Sequence, residues 1–235
     1  MQFEAIFFDA GNTLLFVNPA EVLPIFREVG VDASEALFWE AEFRARLGLA
    51  KRVEEGASGT EAHMWQAYFG ELFHGCGVSR EDMGYVGDRV REVHARSHLW
   101  THIDPATPAA LETLRDMGHR LAVISNADGR VEGLIQDAGI HGFFDFVMDS
   151  ALEGVEKPDP EIFLRACRRM GVQAEASLYV GDLYPVDVMG ARTAGMEALL
   201  LDPMGRLDYP VDRIPDVAAL PAYLTARGDR LSPQA

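Results

Sequence analysis

Asp9 stands where an apolar run stops. Phe3, Ala5, Ile6, Phe7 and Phe8 read as a buried strand, and the carboxylate follows at its tip, before Ala10-Gly11-Asn12-Thr13 turns the chain. Other polar residues end or flank other apolar runs: Ser125-Asn126 after LAVI, Lys157 within EKPDP, and Asp182 after SLYVG. Taken singly, each has a plain reading as turn residue, helix cap, solvated amine or N-cap. Taken together they form a chemical set of two carboxylates, a hydroxyl and an ammonium, and the set suits phosphoryl transfer to a carboxylate. An Asp can act as nucleophile and form a covalent intermediate. Its repulsion from a phosphate dianion then calls for a metal and a cation. Asp9 and Asp182, with a backbone carbonyl such as that of Gly11, suit hard Mg²⁺, and water fills the remaining positions. Lys157 can balance the charge of nucleophile and transferring group. The Ser125 hydroxyl, with Asn126 and nearby backbone amides, can hold the non-bridging oxygens.

These residues act together only if the fold brings them together. Four apolar runs in the second half, LAVISN, FFDFVMDS, SLYVGD and EALLLDP, each follow a segment of helical period. Strands alternating with helices imply βαβ units and a parallel sheet. The N-terminal run makes five expected strands. In such a sheet ligands bind beyond the carboxyl ends of the strands, which is where Asp9, Ser125 and Asp182 fall. Residues 18–98 break the rhythm, with helical patches and no strand-like run. The expected architecture is α/β: a Rossmann-like doubly wound parallel sheet core from 1–17 and 99–235, with an inserted α-helical cap at 18–98.

Bulk properties narrow the partners. The 235 residues carry a formal charge of -16, which argues against a nucleic-acid or anionic-membrane surface. An anion site must therefore be built locally. No apolar stretch is long enough to span a bilayer and no leader precedes the first strand. Two scattered cysteines, Cys76 and Cys167, suit free thiols in a reducing compartment. The expectation is a cytoplasmic protein, monomer or homodimer, acting on a small phosphorylated molecule. Asp128 is expected to cap the helix after Gly129. Trp39, Trp65, Tyr68, Phe69 and Phe73 are expected to form cap core. Arg44, Arg46, Lys51 and Arg52 are expected on a solvated helix face, with a meeting of cap and anionic substrate as the alternative. His94, His98 and His102 are expected in surface or hinge roles.

FFDAGNTL, VISNAD, EKPDPEIF and YVGDLYPVDVMGARTAGM resemble, in order and spacing, the four motifs of the haloacid dehalogenase-like hydrolase superfamily. The helical insertion is similar to that superfamily's first-position cap. The resemblance implies Asp9 as nucleophile, Ser125 as phosphate-binding hydroxyl and Lys157 as charge-balancing lysine. It implies Asp182 as a magnesium ligand, and Asp187 as a further acidic residue holding the metal or its waters. One departure stands out. Superfamily phosphatases generally carry a general acid two residues after the nucleophile, and here that position is Gly11. The following position is usually Gly and here is Asn12, which tolerates positive φ. Losing a general acid slows the step it serves by about 10²–10⁴-fold. A 2-haloacid dehalogenase and a non-catalytic binding or regulatory protein on the same scaffold are the alternative readings. Asp182 argues against the first and Gly11 favours the second.

Overall fold

The structure, a computed structural model, describes residues 3–57 and 62–228. β1 (Ala5–Phe8) opens the chain. β2 (Phe16–Val17) leads into four helices, α1 (Pro19–Glu28), α2 (Glu35–Glu54), α3 (Ala62–Gly75) and α4 (Met83–Ser97). β3 (Trp100–His102) leaves them. The rest alternates: α5 (Thr107–Asp116), β4 (Arg120–Ser125), α6 (Val131–Asp137), β5 (Val147–Asp149), α7 (Ser150–Glu153) and α8 (Pro160–Met170). It continues with β6 (Ser177–Gly181), α9 (Met189–Thr193), β7 (Glu197–Leu201), β8 (Arg213–Ile214) and α10 (Leu220–Arg227). The chain divides into two compact units, Met1–Leu15 with Ile103–Ala235, and Phe16–His102.

The first unit holds one six-stranded sheet in the order β5-β4-β1-β6-β7-β8, and every pairing in it is parallel. This is an α/β, Rossmann-like doubly wound core. β1 lies centrally, and all four of its residues are fully buried. That burial explains its unbroken apolar run, because a central parallel strand is covered on both faces. From β1 the chain builds outward through β4 and β5, then crosses to β6, β7 and β8, so the strand order reverses beside β1. Six strands replace the five expected. β8 is two residues long and lies in VDRIPDV, too short to carry a pattern. The run FFDFVMDS contributes strand only at its end, after a 3₁₀ turn at His141–Phe143.

The second unit is helical, except that β2 and β3 pair antiparallel and join its two ends. Ser34 accepts a hydrogen bond from the Leu37 amide and starts α2 as a side-chain cap. α2 and α3 approach closely, and a methyl on Gly75 would lie 2.7 Å from the Ala41 Cβ. Between them a buried Glu42 accepts from Arg46 Nε at 3.0 Å and from the Tyr68 hydroxyl at 3.0 Å. Arg46 is therefore not on a solvated face. Arg44 pairs with Glu40, Arg52 with Glu71 and Lys51 with Glu55. Tyr68 and Phe73 are buried as expected of core, whereas Trp65 is partly exposed. His94 and His98 stand at H-x3-H spacing, and their rings lie 4.3 Å apart. Among the described residues no helix is long and apolar enough to cross a membrane.

Candidate active site

Register puts the strand ends side by side. Phe8 aligns with Val123 on β4 and with Val180 on β6. The next residues, Asp9, Ile124-Ser125 and Gly181-Asp182, therefore emerge along one edge. The Asp9 amide continues the ladder to Val180 O at 2.9 Å. Beyond it the chain reverses tightly, with the Leu14 and Leu15 amides both bonding Ala10 O at 2.9 Å. Asn12 holds φ at +56° inside this turn, the left-handed region that Asn tolerates best among residues with a Cβ. Gly11 is half-buried and forms a bridge with Leu15. Ser125 is buried, and among the described residues its hydroxyl has no hydrogen-bond partner.

Lys157 comes from the segment before α8. Asp159 caps that helix by accepting from the Glu161 amide, and Pro160 occupies its first turn. Asn126 then fixes the Lys157 backbone. Its Oδ1 accepts from Lys157 N and its Nδ2 donates to Lys157 O, both at 2.8 Å. The side chain expected to bind phosphate thus spends one acceptor site and one of its two N–H groups on positioning the lysine. The Lys157 ammonium is buried and donates to Asp9 Oδ1 at 2.6 Å, Asp187 Oδ1 at 2.7 Å and the Tyr179 hydroxyl at 2.8 Å.

Asp187 sits in a π-helical turn, Tyr184–Val188, which Pro185 helps begin. Its Oδ2 accepts from the Asp182 amide at 3.1 Å and the Leu183 amide at 2.9 Å. The carboxylate lies against Gly181: a Cβ there would be 2.4 Å from Asp187 Cγ. Only glycine allows this approach. One carboxylate oxygen from each of Asp9, Asp182 and Asp187, all buried residues, lies within 4.8 Å of the other two. A buried oxygen-only donor set of this kind can hold a hard divalent cation.

One ammonium faces three carboxylates, so the cluster is net negative. Burial raises the Asp9 pKa from 3.8 to about 6, Lys157 opposes that shift, and Asp187 adds to it. Asp9 remains mostly ionised at neutral pH. For Lys157, burial alone favours the neutral amine, but the charges of Asp187 and Asp9 outweigh it and hold its pKa above the ordinary value. Tyr179 is kept protonated, by burial first and then by the neighbouring Asp187 and Asp9 charges.

Two contributors escape a reading of the sequence. Tyr179 sits inside an apolar strand and looks like core packing. The only hint is its place three residues before Asp182 on the strand that carries it. The second is Asp149, at the end of β5. Asp149 Oδ2 accepts from the Gly129 amide at 2.9 Å and its Oδ1 from the Ala151 amide at 3.0 Å. It therefore shapes the loop after Ser125, the work expected of Asp128. Asp128 pairs with Arg130 at 2.6 Å, and Arg130, at the N-cap position of α6, makes no side-chain cap hydrogen bond.

The fold and this cluster define a class: a Rossmann-like α/β core with a buried carboxylate cluster at its strand tips. A haloacid dehalogenase-like hydrolase family model matches residues 3–195, and the chain belongs to that family. Haloacid dehalogenase-like hydrolase domain-containing protein 3 of Homo sapiens is 34% identical over 169 residues, 68% of this chain and 67% of that protein. The chain thus spans about two thirds of that relative's length. A glyceraldehyde 3-phosphate phosphatase of Methanothermobacter thermautotrophicus is 45% identical over 100 residues, 42% of this chain and 44% of that protein. Among solved structures, a magnesium-bound HAD hydrolase of Bacillus subtilis has a TM-score of 0.70 at 20% identity. It covers 95% of this chain and 99% of that one, and speaks to the fold alone. A 2-haloacid dehalogenase of Pseudomonas syringae has a TM-score of 0.59 at 26% identity, covering 96% of this chain and 100% of that one.

Proposed function

We propose that this hydrolase is a cytoplasmic, magnesium-dependent phosphatase of a small phosphorylated metabolite, working through an aspartyl phosphate on Asp9. The observation that carries the reading is the buried cluster itself. Asp9 is held at 2.6 Å by Lys157 and stands within reach of Asp182 and Asp187. Asp9, Asp182 and the Gly11 carbonyl would hold the ion, with Asp187 supporting them through the turn that it braces. The ion supplies charge neutralisation at the phosphoryl group when bound. The residues do the rest. An Asp9 oxygen bonds to phosphorus as the ester P–O bond breaks. Lys157 offsets the charge of nucleophile and phosphoryl group, and Ser125 offers its uncommitted hydroxyl to a non-bridging oxygen. Water then cleaves the acyl phosphate and restores the Asp9 carboxylate.

Asp182 argues for a cation over dehalogenation, because a buried carboxylate beside Asp9 and Asp187 is costly unless positive charge offsets it. The resemblance to a phosphatase at 45% identity over part of the chain supports the same class. That relative is named for an alkyl ester, whereas Gly11 puts no acid at the position two residues after Asp9 to protonate a departing alkoxide. Gly11 points to aryl and acyl phosphates, whose leaving groups depart as anions.

The test uses purified protein with Mg²⁺, p-nitrophenyl phosphate, acetyl phosphate and glyceraldehyde 3-phosphate. Turnover should require the ion, beryllium fluoride should add to Asp9, and Asp9→Asn should abolish activity with the fold intact. Calorimetry should show Mg²⁺ binding that Asp182→Ala largely removes. Halide release from 2-chloropropionate without metal, or full activity in Asp9→Asn, would overturn the proposal.

A further inference from the structure

An ammonium has three N–H donors and no more. In Lys157 all three are taken, by Asp9 Oδ1, Asp187 Oδ1 and the Tyr179 hydroxyl. The two carboxylates are charged partners beyond the strand ends. The third partner is neutral and is part of the sheet.

The direction of each proton follows from chemistry. Lys157 can only donate to Tyr179, so the phenol oxygen accepts. The single phenol proton has two acceptors in range, Ile124 O at 3.0 Å and Asp187 Oδ1 at 3.3 Å. The Ile124 carbonyl is the nearer, and Asp187 already receives Lys157 and two amides. The pairing of β1 with β4 ends at Phe8 and Val123, so Ile124, one residue on, takes its bond from the phenol. A directed chain results: Lys157 to Tyr179 to the backbone of the residue before Ser125. The tyrosine ring also makes an edge-on contact with Phe163, centroids 5.0 Å apart.

We propose that Tyr179 is a positioning residue, whose hydroxyl takes the third Lys157 N–H and fixes the ammonium against the sheet. This rests on the phosphatase reading for its catalytic consequence, though not for its geometry. When a phosphoryl oxygen arrives at Asp9, one of the three bonds must be exchanged for it. Asp9 loses its negative charge on phosphorylation, so its bond to the ammonium is the one that weakens most. Tyr179 and Asp187 keep the ammonium in place through the step. Without the phenol, Lys157 keeps a spare N–H and turns about its remaining contacts.

Tyr179→Phe tests this, since it keeps the ring and removes only the oxygen. The first measurement is hydrogen exchange of the ¹⁵N-labelled Lys157 ammonium in metal-free protein. Loss of one hydrogen bond to a charged group should speed that exchange roughly tenfold or more. The second is kinetics with Mg²⁺ and p-nitrophenyl phosphate: kcat should fall about tenfold, with KM within about twofold, as for an interaction needed in the transition state. Phe163→Leu loosens the same ring but keeps the hydroxyl, and should leave ammonium exchange within about twofold. Exchange unchanged in Tyr179→Phe overturns the proposal, and so does faster exchange with unchanged kcat. Should Tyr179→Phe not fold, Tyr179→Met is read in the same way. If the wild type hydrolyses no phosphate ester, the phosphatase reading falls and ammonium exchange alone decides whether Tyr179 fixes Lys157.

Discussion

Gly181→Ala is a one-methyl change away from the nucleophile, and the structure makes its consequence large. The new Cβ would lie 2.4 Å from Asp187 Cγ, 2.5 Å from Oδ2 and 2.6 Å from Cβ. Carbon atoms pack at about 3.5–4.0 Å, so Asp187 must retreat by roughly 1 Å. It has no room to do so without loss. Its Oδ2 is tied to the Asp182 and Leu183 amides and its Oδ1 to Lys157. Overpacking costs about 1–3 kcal/mol, and loosened hydrogen bonds to a buried charge add about 1.5–3 kcal/mol. A destabilisation of about 2.5–6 kcal/mol follows, together with a roughly 10²-fold loss of activity from a 1 Å misplacement. Equilibrium urea unfolding of the metal-free protein measures the first, and turnover of p-nitrophenyl phosphate under Mg²⁺ the second. A Gly181→Ala protein within about 0.5 kcal/mol of wild type, an ordinary surface effect, would show that the close approach of Asp187 and Gly181 is not what holds this turn.

Gly11 keeps its backbone outside the left-handed region, so Gly11→Asp adds a carboxyl without φ strain. It should raise kcat/KM for an alkyl phosphate by about tenfold or more relative to an aryl phosphate, as a restored acid would. Equal change in both ester classes would refute the missing-acid argument. Burial raises the folded pKa of Asp9 from 3.8 to about 6, so its contribution to stability is full below about pH 4 and is lost as pH rises through about 6. The stability of Asp9→Asn relative to wild type should therefore grow between those pH values by up to about 3 kcal/mol in urea unfolding without metal. A difference that is flat with pH would mean that Asp9 titrates normally. Asn126→Ala removes both bonds that clamp the Lys157 backbone and should destabilise by about 2–3 kcal/mol. It should also lower kcat more than it raises KM, and unchanged kcat would show that the clamp is dispensable.

The class of fold was legible because it is written in local pattern. Runs such as AIFF and SLYVG alternate with helical segments, and burial on both faces of a parallel sheet requires such runs. The place of Asp9, Ser125 and Asp182 along one edge follows from the same pattern, since each ends a strand and parallel strands end together. Gly11 and Asn12 were likewise legible, one as an absent carboxyl and the other as a residue able to take the φ of +56° that it adopts. What the tertiary structure alone decided is who bonds to whom. The pairing of Lys157 with Asp9 joins residues 148 apart, and Asn126 grips the lysine backbone across 31. Tyr179 reads as core from its neighbours and acquires its role only because β6 lies beside β1, opposite β4. Asp149 replaces Asp128 at the loop after β4 because β5 pairs there in register, Ser125 with Asp149. Side-chain type and local period are properties of the chain. The partner that saturates a buried donor is a property of the packed sheet, because long-range contacts leave no period in the sequence.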